Sequence, residues 1–204
     1  RIMTAEFPVN TTIINFDKAG PGVLRQVARA LKSGAVIVFP TDTVYGIGAL
    51  SAPGVKRIYR IKRRSGSKPL QLLAASGAQA KRVAVWNSSA QKLARKFWPG
   101  ALTLVLKAKK GGTVGIRVPA SPRLRRLLAL AGGTLCATSA NLAGQEPLAD
   151  DKALLESFLW KADYILLGKP GGGKESSVVS LCGAKAKMLR AGAIGGKKIF
   201  GALS

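Results

Sequence analysis

The apolar run Ala35-Val36-Ile37-Val38-Phe39 ends at Pro40, and a polar stretch follows at once: Thr41-Asp42-Thr43-Val44-Tyr45-Gly46-Ile47-Gly48. An uninterrupted apolar run of this length, rich in β-branched residues, predicts a strand buried on both faces. Such a strand needs packed layers above and below it. Proline has no N–H to give a sheet ladder, so the strand stops there. Gly46 and Gly48 permit either a positive φ or the close approach of another segment. A polar mouth at the end of a buried strand suits a small polar ligand. A strand, a turn and a second strand with nothing bound is the alternative reading.

The rest of the chain alternates apolar periodicities. Period 3.6 predicts helices over 21–33, 53–64, 88–97, 122–131 and 151–160. Strand-like runs cover 12–16, 70–74, 83–86, 102–107, 113–118, 134–138, 163–167, 176–181 and 188–192. Lys109-Lys110-Gly111-Gly112 predicts a hairpin between two of them. The 204 residues suit one α/β domain over 1–204, with 1–11 and 196–204 as candidate loose ends. There is no internal repeat, and no second domain is expected.

Thirty-three Lys and Arg against nine Asp and Glu give a formal charge of +24. Such a field attracts polyanions, nucleic acid first and nucleotides second; a generally cationic surface is the bland alternative. The chain has no histidine, which excludes a Ser-His-Asp triad, a Cys-His pair and a histidine metal site. Scattered acids supply a paired-carboxylate mechanism poorly. Catalysis, if present, would rest on positioning and on cations. Cys136 and Cys182 lack metal or disulfide spacing and read as small buried apolar residues. No apolar run is long enough to span a membrane, and the first residues have no signal-peptide h-region. A cytoplasmic protein is the expectation.

Candidate binding residues cluster in four further places. Lys62-Arg63-Arg64-Ser65-Gly66-Ser67-Lys68 is either a solvated helix end or a loop that grips phosphates. Arg117 lies inside an apolar strand, so it faces a site or points outward on an alternating strand. Thr138-Ser139-Ala140-Asn141 is a second polar mouth after a buried strand. Gly168-Lys169-Pro170-Gly171-Gly172-Gly173-Lys174 imitates the start of a phosphate-binding P-loop. Glu175 then stands where Ser or Thr is needed, and a strand-like run follows where a helix is needed. A glycine turn is the better reading.

Taken in order, Phe39 to Gly48, the basic run to Pro69, Trp98-Pro99-Gly100-Ala101-Leu102-Thr103, Val114 to Pro119, Thr138 to Asn141, Glu175-Ser176-Ser177 and Leu189-Arg190 resemble the YrdC-like threonylcarbamoyl-AMP synthases. The resemblance implies a twisted, open, mixed sheet flanked by helices around a concave basic cavity. It implies a nucleotidyltransferase that joins L-threonine, bicarbonate or CO₂, and ATP into threonylcarbamoyl-AMP and pyrophosphate. That product serves the t⁶A37 modification of tRNA, through a separate threonylcarbamoyl-transfer complex. Mg²⁺ is expected on the ATP phosphates, with no protein metal site. The chain ends before the extra C-terminal domain of longer members, so the short form is expected.

By motif, the resemblance places Lys62 and Arg64 at the phosphates and the carbamate, as the catalytic pair. Thr43, Arg117, Ser139 and Ser176 would meet L-threonine. Arg64, Lys68, Thr113, Asn141 and Arg190 would meet the nucleotide. Lys62 and Arg64 are expected to face solvent in the empty cavity. Four features depart from the family pattern. The loop from Ala49 to Lys56 is shortened, and Arg63 replaces a frequent glycine. Leu73 stands where some members have histidine, and Ala149 where some have a hydroxyl. A double-stranded RNA- or tRNA-binding protein of the same fold without this catalysis, and a carbamoyl-transfer enzyme, are the rival readings.

Overall fold

A computed structural model of the chain describes residues 10–141, 148 and 150–203. Its strands are β1 (Thr12–Asn15), β2 (Val36–Phe39), β3 (Gly46–Ala49), β4 (Gln71–Ala74), β5 (Leu102–Lys107), β6 (Thr113–Arg117), β7 (Thr134–Ser139), β8 (Tyr164–Leu167), β9 (Ser177–Ser180) and β10 (Lys187–Arg190). Its helices are α1 (Pro21–Lys32), α2 (Ala52–Ile61), α3 (Gly77–Val83), α4 (Ser88–Phe97), α5 (Pro122–Ala131), α6 (Asp151–Phe158) and α7 (Gly196–Phe200). The described strands join one mixed sheet of order β1-β8-β2-β3-β7-β4-β6-β5-β9-β10. β2, third in that order, is antiparallel to β3 and parallel to β8.

Every residue of β2 is buried, as its apolar run requires. Ile37 and Phe39 pack with Leu24 and Leu31 of α1 and Leu127 of α5. Val36 and Val38 pack with Ile58 of α2 and Phe158 of α6. Alternate residues of one strand therefore enter two different cores. A third core gathers Leu93 and Phe97 of α4 with Leu102, Leu104 and Leu106 of β5 and Ile116 of β6. The residues between these, Thr103, Val105, Thr113 and Gly115, line a cavity instead. Side-chain oxygens of Ser51, Asn87, Ser121 and Asp150 cap α2, α4, α5 and α6, each accepting from an otherwise unpaired first-turn N–H.

At Gly48 it is close approach that matters. A Cβ there would lie 2.8 Å from Leu135 Cδ2 and 3.0 Å from the Cys136 carbonyl oxygen. The absence of a side chain lets β3 lie tight against β7, the strand that carries the second polar mouth.

Several expectations are corrected. The run 83–86 is not a strand: Val83 ends α3, and Ala84 makes only a single bridge to Ala108. The signal was present, since Ser76 accepts from the Gln79 N–H in the Ser-x-x-Gln pattern of a helix start. The end of the chain is not loose over its described part. It forms α7, and Ile199 is fully buried in the third core. At the other end, Thr11 donates to the Ala162 carbonyl and accepts from the Trp160 N–H, while 1–9 lie outside the described residues. The helices over 53–64 and 151–160 end earlier, at Ile61 and Phe158. Both cysteines are half-buried and unpaired rather than core residues. No helix among the described residues is long and apolar enough to cross a membrane.

Candidate active site

Two contiguous compartments lie against one face of the sheet, lined by residues of β4, β5, β6, β7, β9 and β10. The larger has a volume of about 650 Å³ and the smaller about 20 Å³. Gln71, Ala137, Thr138, Ser139 and Glu175 line both, so they share a wall. Of the expected residues, Lys62, Arg64, Thr113, Asn141 and Arg190 line the larger compartment. Thr43, Arg117 and Ser176 line the smaller, and Ser139 lines both. Lys68 lines neither: it is exposed, and its carbonyl accepts from Arg64 Nε at 2.9 Å.

The first polar mouth is organised by one buried arginine. Arg117 on β6 donates to Asp42 Oδ1 at 2.6 Å, to Thr43 Oγ1 at 2.9 Å and to the Gly100 carbonyl at 2.9 Å. Its side chain is 3% exposed, so the Asp42 carboxylate supplies the pairing that a buried charge needs. Of its five N–H donors, three have partners within the chain. The protons then run in one direction. Thr41 Oγ1 gives its proton to the Val44 carbonyl, so Thr43 must give its own to Thr41.

The same arrangement recurs across the compartment. Arg190 donates to Ser176 Oγ at 3.1 Å and to Glu175 Oε2 at 2.7 Å. Thr103 gives its proton to Gln71 Oε1, so Ser176 gives its own to Thr103, at 2.8 Å. In both relays an arginine donates to the hydroxyl that lines the small compartment. Thr43 and Ser176 have therefore committed their protons and meet any ligand as acceptors.

Lys62 departs from expectation: it is not solvent-facing but 1% exposed. It follows the last turn of α2, and its ammonium donates to the Ser139 carbonyl, to the Asn141 carbonyl at 2.6 Å and to Asn141 Oδ1 at 3.2 Å. The lysine thus ties α2 to the end of β7 and fixes the Ser-x-Asn mouth. Burial pushes its pKa down to about 8; Arg64 adds to that fall and Glu175 opposes it. Arg64, half-buried, folds back onto the carbonyls of Lys68 and Pro69. Between them Arg63 has φ +50°, the left-handed region, which is a physical reason for glycine at that position.

The stretch from Gly168 to Glu175 leads into β9 rather than a helix, so no P-loop is built. Its glycines instead pin the first mouth. Gly171 N–H donates to the Thr41 carbonyl, and those of Gly172 and Gly173 to the Thr43 carbonyl. Gln71, Thr103 and Glu175 are site residues that the sequence reading missed. Thr103 carried a signal, being the one polar residue within Leu102-Thr103-Leu104-Val105-Leu106. Leu73 is buried and lines the small compartment. Ala149 and 142–144 of the second mouth lie outside the described residues.

Known proteins match this chain over most of its length. A Sua5/YciO/YrdC family model, described as telomere recombination, matches residues 29–192. A putative threonylcarbamoyl-AMP synthase of Methanocaldococcus jannaschii is 33% identical over 182 residues, 84% of this chain and 86% of that protein. The threonylcarbamoyl-AMP synthase of Pyrococcus abyssi is 34% identical over 90% of this chain, which spans only 58% of that longer protein. The crystal structure of P. abyssi Sua5 complexed with L-threonine superposes with a TM-score of 0.87 at 30% identity, covering 95% of this chain and 61% of that one. The matched stretch contains both polar mouths, the buried lysine and the two arginine relays, and the chain belongs to the Sua5/YciO/YrdC family.

Proposed function

We propose that this chain joins L-threonine, bicarbonate or CO₂, and ATP, with release of pyrophosphate, into threonylcarbamoyl-AMP, which serves tRNA t⁶A modification. The observation that carries the reading is the shared wall. A small compartment edged by Arg117, Thr43 and Ser176 opens into a cavity bordered by Lys62, Arg64 and Arg190 and large enough for a nucleotide.

About 20 Å³ admits a water-sized group, so an amino acid would sit across the seam with one end in the small compartment. Arg117 retains two N–H donors for a carboxylate. Thr43 and Ser176, as acceptors, suit an ammonium or a hydroxyl, and L-threonine supplies all three groups.

The threonine amine adds to CO₂ and loses a proton, giving an anionic carbamate. A carbamate oxygen then attacks the α-phosphorus in line, and pyrophosphate leaves with the bond electrons. No covalent enzyme intermediate is needed. The chain's part is alignment and cationic stabilisation by Lys62, Arg64 and Arg190. Among the described residues no cluster of three or more His, Cys, Asp or Glu could hold a metal. Mg²⁺ carried on the ATP phosphates would neutralise the leaving charge there. The product, a mixed anhydride, must be consumed by a carbamoyl transfer to a nucleophile; a separate complex acting on tRNA is the proposed recipient.

The test is pyrophosphate release from MgATP and bicarbonate, with and without L-threonine, and with L-serine as control. Release that requires both threonine and bicarbonate, with the threonylcarbamoyl-adenylate mass in the product, is expected. Release independent of threonine, or none from folded protein, overturns the proposal.

A further inference from the structure

The chain has no Asp or Glu from Thr43 to Gln145, yet nineteen Lys and Arg fall in that stretch. The three ion pairs among the described residues all draw their acid from outside it. Within it, α3, α4, the Trp98-Pro99 turn and α5 enclose a separate pocket of about 320 Å³. This pocket shares no lining residue with the two compartments above. Its walls carry Lys81, Arg95 and Arg125, and no carboxylate among the described residues. They also carry Trp86 and Trp98, packed edge to face with centroids 5.7 Å apart at 78°. Lys81 Nζ stands 5.8 Å from the Trp86 ring centre. Trp98 is held by its bond to the Leu102 carbonyl, whereas Trp86 Nε1 and Arg125 Nε are buried without an acceptor among the described residues. Buried donors in folded proteins nearly always have a partner, and here none comes from the described residues.

We propose that this pocket is a second site, separate from the catalytic cavity, that seats one base of a single strand of nucleic acid. The base lies against the indole pair, and the flanking phosphates meet Lys81, Arg95 and Arg125. Aromatic surface with unpaired cations around it is the chemistry of single-strand binding. The volume fits one base and its sugar rather than a longer segment. Cations on three different helices match successive phosphates better than one terminal phosphate. The argument stands on this pocket alone and does not depend on the activity proposed above.

The test uses the full chain and a fluorescein-labelled oligoadenylate 12-mer, read by anisotropy at 50 and 200 mM salt. Neutralising three phosphates makes this site's share of the affinity fall about 20-fold over that range. Trp86→Leu should weaken binding by about 5- to 150-fold, the range for losing one stacked base. Lys81→Gln with Arg95→Gln changes two exposed side chains, so it keeps the test decisive should Trp86→Leu fail to fold. That pair should weaken binding and flatten the salt slope by about two thirds. Binding should persist under saturating MgATP, and free AMP should compete poorly. Unchanged affinity in the double variant, displacement by MgATP, or AMP binding as tightly as the 12-mer would each overturn the proposal.

Discussion

Replacing Arg117 by methionine tests whether the first mouth is held by one buried charge. The substitution leaves the Asp42 carboxylate, itself only 15% exposed, without its cation at 2.6 Å. Thr43 Oγ1 and the Gly100 carbonyl lose their donors as well. Removing one partner of a buried pair costs about 3–5 kcal/mol, because the other charge stays behind unpaired. For a chain of this size that corresponds to a fall in Tm of roughly 6–20 °C. Asp42→Asn strands the guanidinium instead and should cost about 3 kcal/mol. The double variant removes both charges, so its loss should fall short of the sum by about 2–3 kcal/mol. Urea unfolding of the four proteins, followed by tryptophan fluorescence, measures the cycle. Single variants within 1 kcal/mol of the parent, or a strictly additive double variant, would refute the claim that this pair organises the mouth.

Four further outcomes follow from the geometry. Lys62→Met should both abolish pyrophosphate release and lower stability by about 2–4 kcal/mol, since it leaves a buried cavity and strips a donor from three part-buried acceptors. Arg64→Ala should abolish release with stability changed by less than about 0.5 kcal/mol; urea titration separates the two. The Lys62 charge is present below its pKa of about 8 and lost above it. Affinity for pyrophosphate, measured calorimetrically, should therefore fall from pH 7 to pH 9.5 in the parent and hold in Lys62→Arg. A Cβ at Gly192 would lie 2.4 Å from the Glu175 carbonyl oxygen and 2.5 Å from the Ser176 carbonyl carbon. Gly192→Ala should thus displace the Arg190–Ser176 relay and raise the KM for threonine more than tenfold, whereas Gly195→Ala, with nothing within 4 Å, should not.

What could be read along the chain was what neighbouring residues decide. The apolar run of β2, the Ser, Asn and Asp caps, and the hydroxyl-rich ends of β2 and β7 follow from local rules of pairing, capping and backbone freedom. So did the choice of cations over histidine and acid for any chemistry. The short helices α3 and α7 escaped because they span two turns or fewer, too little for an apolar period to show. The acid-free stretch is also written in the sequence, although nothing along the chain shows which helices fold it around a pocket.

Tertiary structure decided the environment of each charge. Lys62 and the Ser139 carbonyl are 77 positions apart, and Arg117 and Asp42 are 75 apart. Whether a lysine after a helix meets water or three carbonyl-type oxygens depends on which strand end arrives there, and only the assembled sheet brings β7 to α2. Burial, proton direction and pKa are properties of such encounters. The sequence determines which groups are available, and the fold determines which of them lose water and what they find in its place.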